Sequence, residues 1–266
     1  MSDSRNKSAN NTQSTMLHQK LSFAATEAYK LLRTNVLFAL PSRQKCRIVG
    51  VTSSLRGDGK STTAINLAYT LAETGQKVLL VDADMRLPSI PKKMEIESSP
   101  GLSNILVGMA DAQAAVQSTG ILDNWYVLPA GDIPPNPSEL LGSKQMEALL
   151  DRFSESYDFI VVDLPPVNIV TDALVVSTFL DGMIIVVREN YTERSALNHC
   201  HRQLQQAGVK ILGFVMNATK ETYNGYKRYK RYKYYKYSKY SKYSKYGKYQ
   251  KDGYAKYQDG YGDIED

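Results

Sequence analysis

At 266 residues and 42% hydrophobic content, the chain is long enough to bury a sizeable core and suits one α/β domain with tails. Its net charge of +6 is concentrated: from Lys220 onward 13 basic residues face 6 acidic ones, whereas residues 1–219 hold 20 basic and 21 acidic. Two cysteines, Cys46 and Cys200, exclude a disulfide framework or a cysteine zinc site and predict reduced thiols of a cytosolic protein, and no apolar run approaches the roughly 20 residues of a membrane span.

Residues 1–20 are polar, rich in Ser, Asn, Gln and Lys, and are expected to be disordered and to carry no secretion signal. From 24 to 40 the spacing of Ala28, Leu31, Leu32, Val36, Phe38 and Leu40 predicts an amphipathic helix, stopped by Pro41. Glu27, Lys30 and Arg33 follow one another at spacings of three along one stripe of it; on spacing alone, a solvated charged face fits equally well.

The next segment organises the chain. A short apolar strand over 46–52 enters Ser54-Leu55-Arg56-Gly57-Asp58-Gly59-Lys60-Ser61-Thr62, and apolar residues at helical spacing follow (Ile65, Leu67, Ala68, Leu71). A triphosphate is held by many N–H donors aimed from close range, which glycines permit and a helix N-terminus reinforces. The pattern is G-x-x-x-x-G-K-[ST] with Ser54 in the first position; Lys60 would reach the outer phosphates of ATP and the Ser61 hydroxyl would ligate Mg²⁺.

A second apolar strand, 77–81, delivers Asp82 and Asp84, which at a spacing of two project to the same side. Residues 87–123 are read as loop and short helix anchored by Leu102, Ile105 and Leu106. A strand begins at Trp125, and one helix is expected from Ser138 through Phe153. Another apolar strand ends in Asp163, placed to orient Mg²⁺ or its waters beside the loop Ser, and Asp172 is read as the cap of the following helix. The fifth strand starts at Met183, a helix covers about 192–207 with Gly208 as its stop, and the last strand closes on Asn217. His199 and His201, two apart on that helix, splay away from each other and make no metal pair. Strands separated by helices throughout give an α/β fold, a mainly parallel sheet covered on both faces, with Lys60, Ser61, Asp82, Asp84 and Asp163 at one edge.

From residue 220 the composition changes. Tyr223, Tyr226, Tyr229, Tyr232, Tyr234, Tyr235, Tyr237, Tyr240, Tyr243, Tyr246, Tyr249, Tyr254, Tyr257 and Tyr261 are 14 of the 19 tyrosines, interleaved mostly with Lys and Arg. A period near three, with Ala255 and Ile264 as the tail's aliphatic residues, builds neither a strand nor a core, so a disordered tail over 220–266 is expected. Such a tail could bind nucleic acid by charge and stacking, bind an anionic membrane, or be a tethered substrate. Phosphate on all 14 hydroxyls, at about −1.5 to −2 each, would carry it from +7 to roughly −14 to −21.

Taken together, the phosphate loop Ser54–Ser61, the acidic motif Val81-Asp-Ala-Asp-Met-Arg86, the second Walker motif Ile160-Val-Val-Asp163 and the terminal tyrosines resemble the bacterial tyrosine kinases of capsule and exopolysaccharide synthesis, in the separate cytosolic form of Gram-positive bacteria. The resemblance covers nearly everything from Glu27 onward, and Ser54 is usual in that family. It implies a phosphate-loop NTPase fold of the partitioning-ATPase-like group and a kinase domain over 21–219. Lys60 would act on the phosphates, Ser61, Asp84 and Asp163 at Mg²⁺, Asp82 as base, and Asn217 at the adenine. It further implies autophosphorylation of the tail, a homo-oligomeric ring joined through Glu27-x-x-Lys30-x-x-Arg33, in which Lys30 stands where the family has Arg, and activation by the cytoplasmic segment of a membrane-embedded partner that recruits the chain to the inner face of the membrane. Polysaccharide-synthesis enzymes are further candidate substrates, and no specific nucleic acid is expected. The alternative class, a positioning ATPase of the same fold, carries a lysine where this chain has Leu55.

Overall fold

In the computed structural model, residues 21–40 and 46–219 are described. Helix α1 (Phe23–Ala39) starts at Ser22, whose hydroxyl accepts from the Ala25 amide, and buries Val36, with Leu40 buried just past its end. Phe38, expected on the packed stripe, is 80% exposed, and Leu32, Val36 and Leu37 carry apolar packing of the helix on the domain.

Among the described residues, seven strands form one sheet in the order β3-β4-β2-β5-β1-β6-β7. They are β1 (Arg47–Ser53), β2 (Val78–Asp82), β3 (Gln117–Ser118), β4 (Trp125–Leu128), β5 (Phe159–Asp163), β6 (Gly182–Arg188) and β7 (Ile211–Asn217). All neighbouring pairs are parallel except β3 with β4. The two-residue edge strand β3 was not foreseen, being too short to show any periodicity, so the strand at Gly182 is the sixth. Alternation along each strand sorts the core into two layers. Val49, Val51, Leu80, Val161 and Ile184 pack with α2 (Lys60–Ala72) and α1, while Leu79, Val81, Ile160, Val162 and Ile185 pack beneath the helices on the other face.

Helix α3 (Ile90–Met94) packs on the first face through Ile90 and Met94, and the second face carries α4 (Leu102–Leu106), α5 (Ala112–Ala115), α6 (Pro137–Leu141), α7 (Lys144–Ser154), α8 (Asp172–Val176) and α9 (Arg194–Gln206). The single helix expected over 138–153 is two. Gly142 ends α6, and Ser143 caps α7 by accepting from the Met146 amide, a local bond that competes with continuing the first helix. Gly208, at φ +70°, stops α9 as expected. Cys46 and Cys200 are free and buried, and burial pushes both thiols up to about 12.

Candidate active site

The carboxyl edge of a parallel sheet gathers every loop that follows a strand, and here it gathers most of the residues singled out by sequence. Register sets the acids: Asp82 at the end of β2 stands beside Asp163 at the end of β5, and Asp163 also faces Val51 of β1. Asp84 lies in the turn beyond β2 rather than on the strand.

Between β1 and α2 the chain makes the expected loop. Gly57 and Gly59 take φ of +84° and +98°, a region costly for a side chain, and Gly59 caps α2 from this left-handed conformation. A Cβ on Gly59 would come within 1.9 Å of Asn217 Nδ2. Asp58 is buried and braces the loop: one carboxylate oxygen accepts from the Leu55 amide at 3.0 Å, the other from the Thr192 hydroxyl at 2.7 Å. Three successive carbonyls point away from the cavity into partners: Arg56 O accepts from the Tyr191 hydroxyl (3.0 Å), Gly57 O from Arg188 Nη1 (3.2 Å) and Asp58 O from Asn217 Nδ2 (2.9 Å). Across a trans peptide the N–H points opposite to the C=O, so the amides of Gly57, Asp58 and Gly59 are turned the other way, as an anion site requires. Ser54 at the loop's first position is buried, with its hydroxyl lacking a hydrogen-bond partner among the described residues.

Lys60 opens α2 and reaches into the acids. Its ammonium lies 2.8 Å from Asp84 Oδ2, 3.4 Å from each oxygen of Asp163 and 3.3 Å from the Ser61 hydroxyl. Burial works against this charge, but Asp163 and Asp84 outweigh it and raise the lysine pKa. Asp82 is fully buried behind them, its two oxygens accepting from the Asp84 amide (3.2 Å) and the Ile90 amide (3.1 Å). Burial, reinforced by Asp163, pushes Asp82 up to about 8, and burial raises Asp163 as well. A cavity of about 380 Å³ opens over this group, lined among others by Arg56, Gly57, Gly59, Lys60, Ser61, Thr62 and Asp84; Asp82 does not reach its wall.

The donor set fits a magnesium-bound triphosphate: outward-turned carbonyls leave a concave run of amides, and one hydroxyl and two carboxylates converge on the lysine that would meet the phosphates. Among the described residues no cluster of three or more acids, histidines or cysteines could cage a metal unaided. Mg²⁺ shared with phosphates needs only one or two protein ligands.

Sequence reading missed a second charged group on the same cavity. Arg86 grips Asp172 through two bonds, Nε to Oδ2 at 2.8 Å and Nη2 to Oδ1 at 3.0 Å, and Nη2 also meets Ser138 Oγ at 3.1 Å. Asp172, buried at the first turn of α8, is therefore an ion-pair partner for the loop after β2 rather than a cap, the N-cap position being Thr171. Arg188 and Tyr191 were missed likewise. On α1, Lys30 pairs with Glu27 at 3.1 Å, and Arg33 Nη1 donates to Thr70 O at 2.7 Å, completing one of the carbonyls left open at the end of α2. His199 meets Asn168 at 3.1 Å, and the His201 ring lies 6.0 Å from that of Phe214. The segment 1–20 and the tail tyrosines from Tyr223 to Tyr261 lie outside the described residues.

Comparison with known proteins agrees with this geometry. Residues 46–211 match the family model described as AAA domain. The chain is 38% identical over 195 residues to the tyrosine-protein kinase YwqD of Bacillus subtilis, covering 73% of this chain and 81% of that protein. Among solved structures, the kinase domain of Escherichia coli tyrosine kinase ETK matches with a TM-score of 0.69 at 32% identity, covering 75% of this chain and 79% of that one. The chimerical protein CapA2B2 matches with a TM-score of 0.73 at 35% identity, covering 79% and 91%. At this identity and coverage, this chain belongs to the bacterial tyrosine kinases, enzymes built on the phosphate-loop NTPase fold.

Proposed function

We propose that this kinase transfers the outer phosphoryl group of ATP to its own C-terminal tyrosines, between subunits of a homo-oligomeric ring, and thereby regulates capsular or exopolysaccharide synthesis and export. The observation that carries the reading is Lys60, held at 2.8 Å by Asp84 in a cavity that Gly57, Gly59, Ser61 and Thr62 also line. Amides from Gly57 to Thr62 receive the phosphates, and Lys60 exchanges Asp84 for them. Ser61 and Asp163 would hold Mg²⁺, which would supply charge neutralisation at the phosphates. Asn217, already fixed against the loop, contacts the adenine.

The expected division of labour had Asp82 as base. The geometry favours Asp84 for that role rather than at the metal, because Asp84 lines the cavity and Asp82 does not. Once Lys60 turns to the phosphates, Asp84 is the carboxylate nearest an incoming hydroxyl, and Asp82, which accepts from the Asp84 amide, holds the backbone that carries it. The rate enhancement comes chiefly from positioning and fixed charge.

The ring forms through the α1 stripe of Glu27, Lys30 and Arg33. Among the described residues no helix is long and apolar enough to cross a membrane. Recruitment to the inner membrane face goes through the cytoplasmic segment of a membrane-embedded activator. The test is intact mass of the full chain and of a form ending at Thr219 after incubation with ATP and Mg²⁺. Added phosphates confined to Tyr223–Tyr261 by peptide mapping support the proposal. Release of free phosphate with no phosphotyrosine, even beside the activator segment, would replace it with a positioning ATPase.

A further inference from the structure

We infer that the apolar wall of the cavity, formed by Leu87, Pro166 and Ile169, is the seat for the aromatic ring of the acceptor tyrosine; this rests on reading the cavity as the phosphoryl-transfer site. Phosphate and metal chemistry asks for amides, cations, hydroxyls and carboxylates, and one side of the cavity supplies them. The other side exposes aliphatic surface: Leu87 is 51% and Ile169 45% exposed, and both line the same space as Lys60 and Asp84. Keeping such surface in contact with water is unfavourable, and a planar phenol covers it well.

Sheet order separates this wall from the nucleotide's base. Leu87 follows β2, and Pro166 and Ile169 follow β5, so all three lie to one side of β1. Arg188, Tyr191 and Asn217, which tie down the phosphate loop, belong to β6, the loop after it and β7, on the other side of β1. A nucleotide whose base lies toward Asn217 therefore runs its outer phosphate toward β5 and β2, where the apolar wall begins.

The wall is also fixed to the catalytic acid. The Leu87 amide donates to Asp84 Oδ1 at 3.2 Å, and the Ile169 amide to Pro166 O at 3.1 Å. A ring lying on Leu87 and Ile169 presents its hydroxyl toward Asp84. The phenolic Oη–P bond then forms as the P–O bond to ADP breaks, and the phenolic proton passes to the Asp84 carboxylate. Serine and threonine leave the wall uncovered, which gives a physical basis for tyrosine preference. Arg86 on the same cavity is already matched by Asp172 and does not repel a basic acceptor segment with its full charge.

The experiment measures binding by the full chain of a fluorescent peptide with the sequence of residues 237–243 (Tyr-Ser-Lys-Tyr-Ser-Lys-Tyr), and separately of a non-hydrolysable ATP analogue with Mg²⁺. Leu87→Ala and Ile169→Ala are expected to weaken the peptide about five- to tenfold, as loss of roughly 40–60 Å² of apolar contact implies, and to leave the analogue within twofold. Leu87→Met and Ile169→Leu restore peptide binding, and a peptide with its tyrosines replaced by serine binds the wild type as weakly as the alanine variants bind the original. Unchanged peptide affinity in both alanine variants, or a loss that falls on the analogue instead, would overturn the assignment. Phosphotyrosine formation is scored apart: a wild type that shows this binding pattern yet makes no phosphotyrosine refutes the transfer reading and leaves the ring seat standing.

Discussion

Lys60 donates to Asp84 across 2.8 Å, so the first residue of the phosphate helix is tied to the acidic loop after β2. This contact neutralises carboxylates that would otherwise face one another at the sheet edge. Lys60→Met is expected to abolish tyrosine phosphorylation while the protein still folds, at a cost of about 3 kcal/mol from stranded buried charge. Phosphotyrosine by mass and a urea melt of the same preparation check both halves.

The raised Asp82 carboxyl gives a pH signature. Its folded pKa of about 8 exceeds the unfolded value near 4, so between those limits the native state binds more protons than the unfolded chain. Stability without nucleotide therefore falls as pH rises through that window, by about 2 kcal/mol between pH 6 and 8. Urea midpoints across pH 5.5–8.5 should decline in the wild type and flatten in Asp82→Asn; an unchanged slope in the variant would assign the proton elsewhere.

Arg86→Ala leaves the buried Asp172 carboxylate with Ser138 as its side-chain partner among the described residues, so destabilisation of about 1–2 kcal/mol is expected, tempered by the partial exposure of the arginine. Ser138→Ala should cost less, since the bidentate pair survives. Chemical denaturation of the two variants side by side gives the ordering.

Gly59→Ala meets two obstacles, a φ of +98° and the Asn217 amide. ATP affinity is expected to drop at least about tenfold, given the roughly 1–2 kcal/mol that a left-handed residue costs together with the displaced amide. The double variant with Asn217→Ala relieves the clash but not the backbone strain, so titration calorimetry should recover only part of the loss.

What could be read from sequence was whatever leaves a local trace. Strand, loop and helix around Lys60 announce themselves within 25 residues, and the β2 and β5 acids end apolar runs that can only be buried strands. The loop carbonyl partners Arg188, Tyr191 and Asn217 lie more than 130 residues from the bonds they make, and the Arg86–Asp172 pair spans 86 residues. Nothing in spacing links such residues; only the strand order does. The break between α6 and α7 was legible in retrospect, since Gly142-Ser143 joins a stop to a cap. Phe38 misled because helical periodicity says which residues share a face, not whether a neighbour covers it.

Helix α2 begins at the phosphate loop and ends where Arg33 of α1 donates to the Thr70 carbonyl. Thirteen residues make a rod about 20 Å long. One end is completed by a ligand and the other by a different helix, so neither terminus is self-sufficient. Arg33→Ala would loosen the far end of that rod without touching a single atom of the cavity, and the loop it carries would feel the change through the axis of the helix alone.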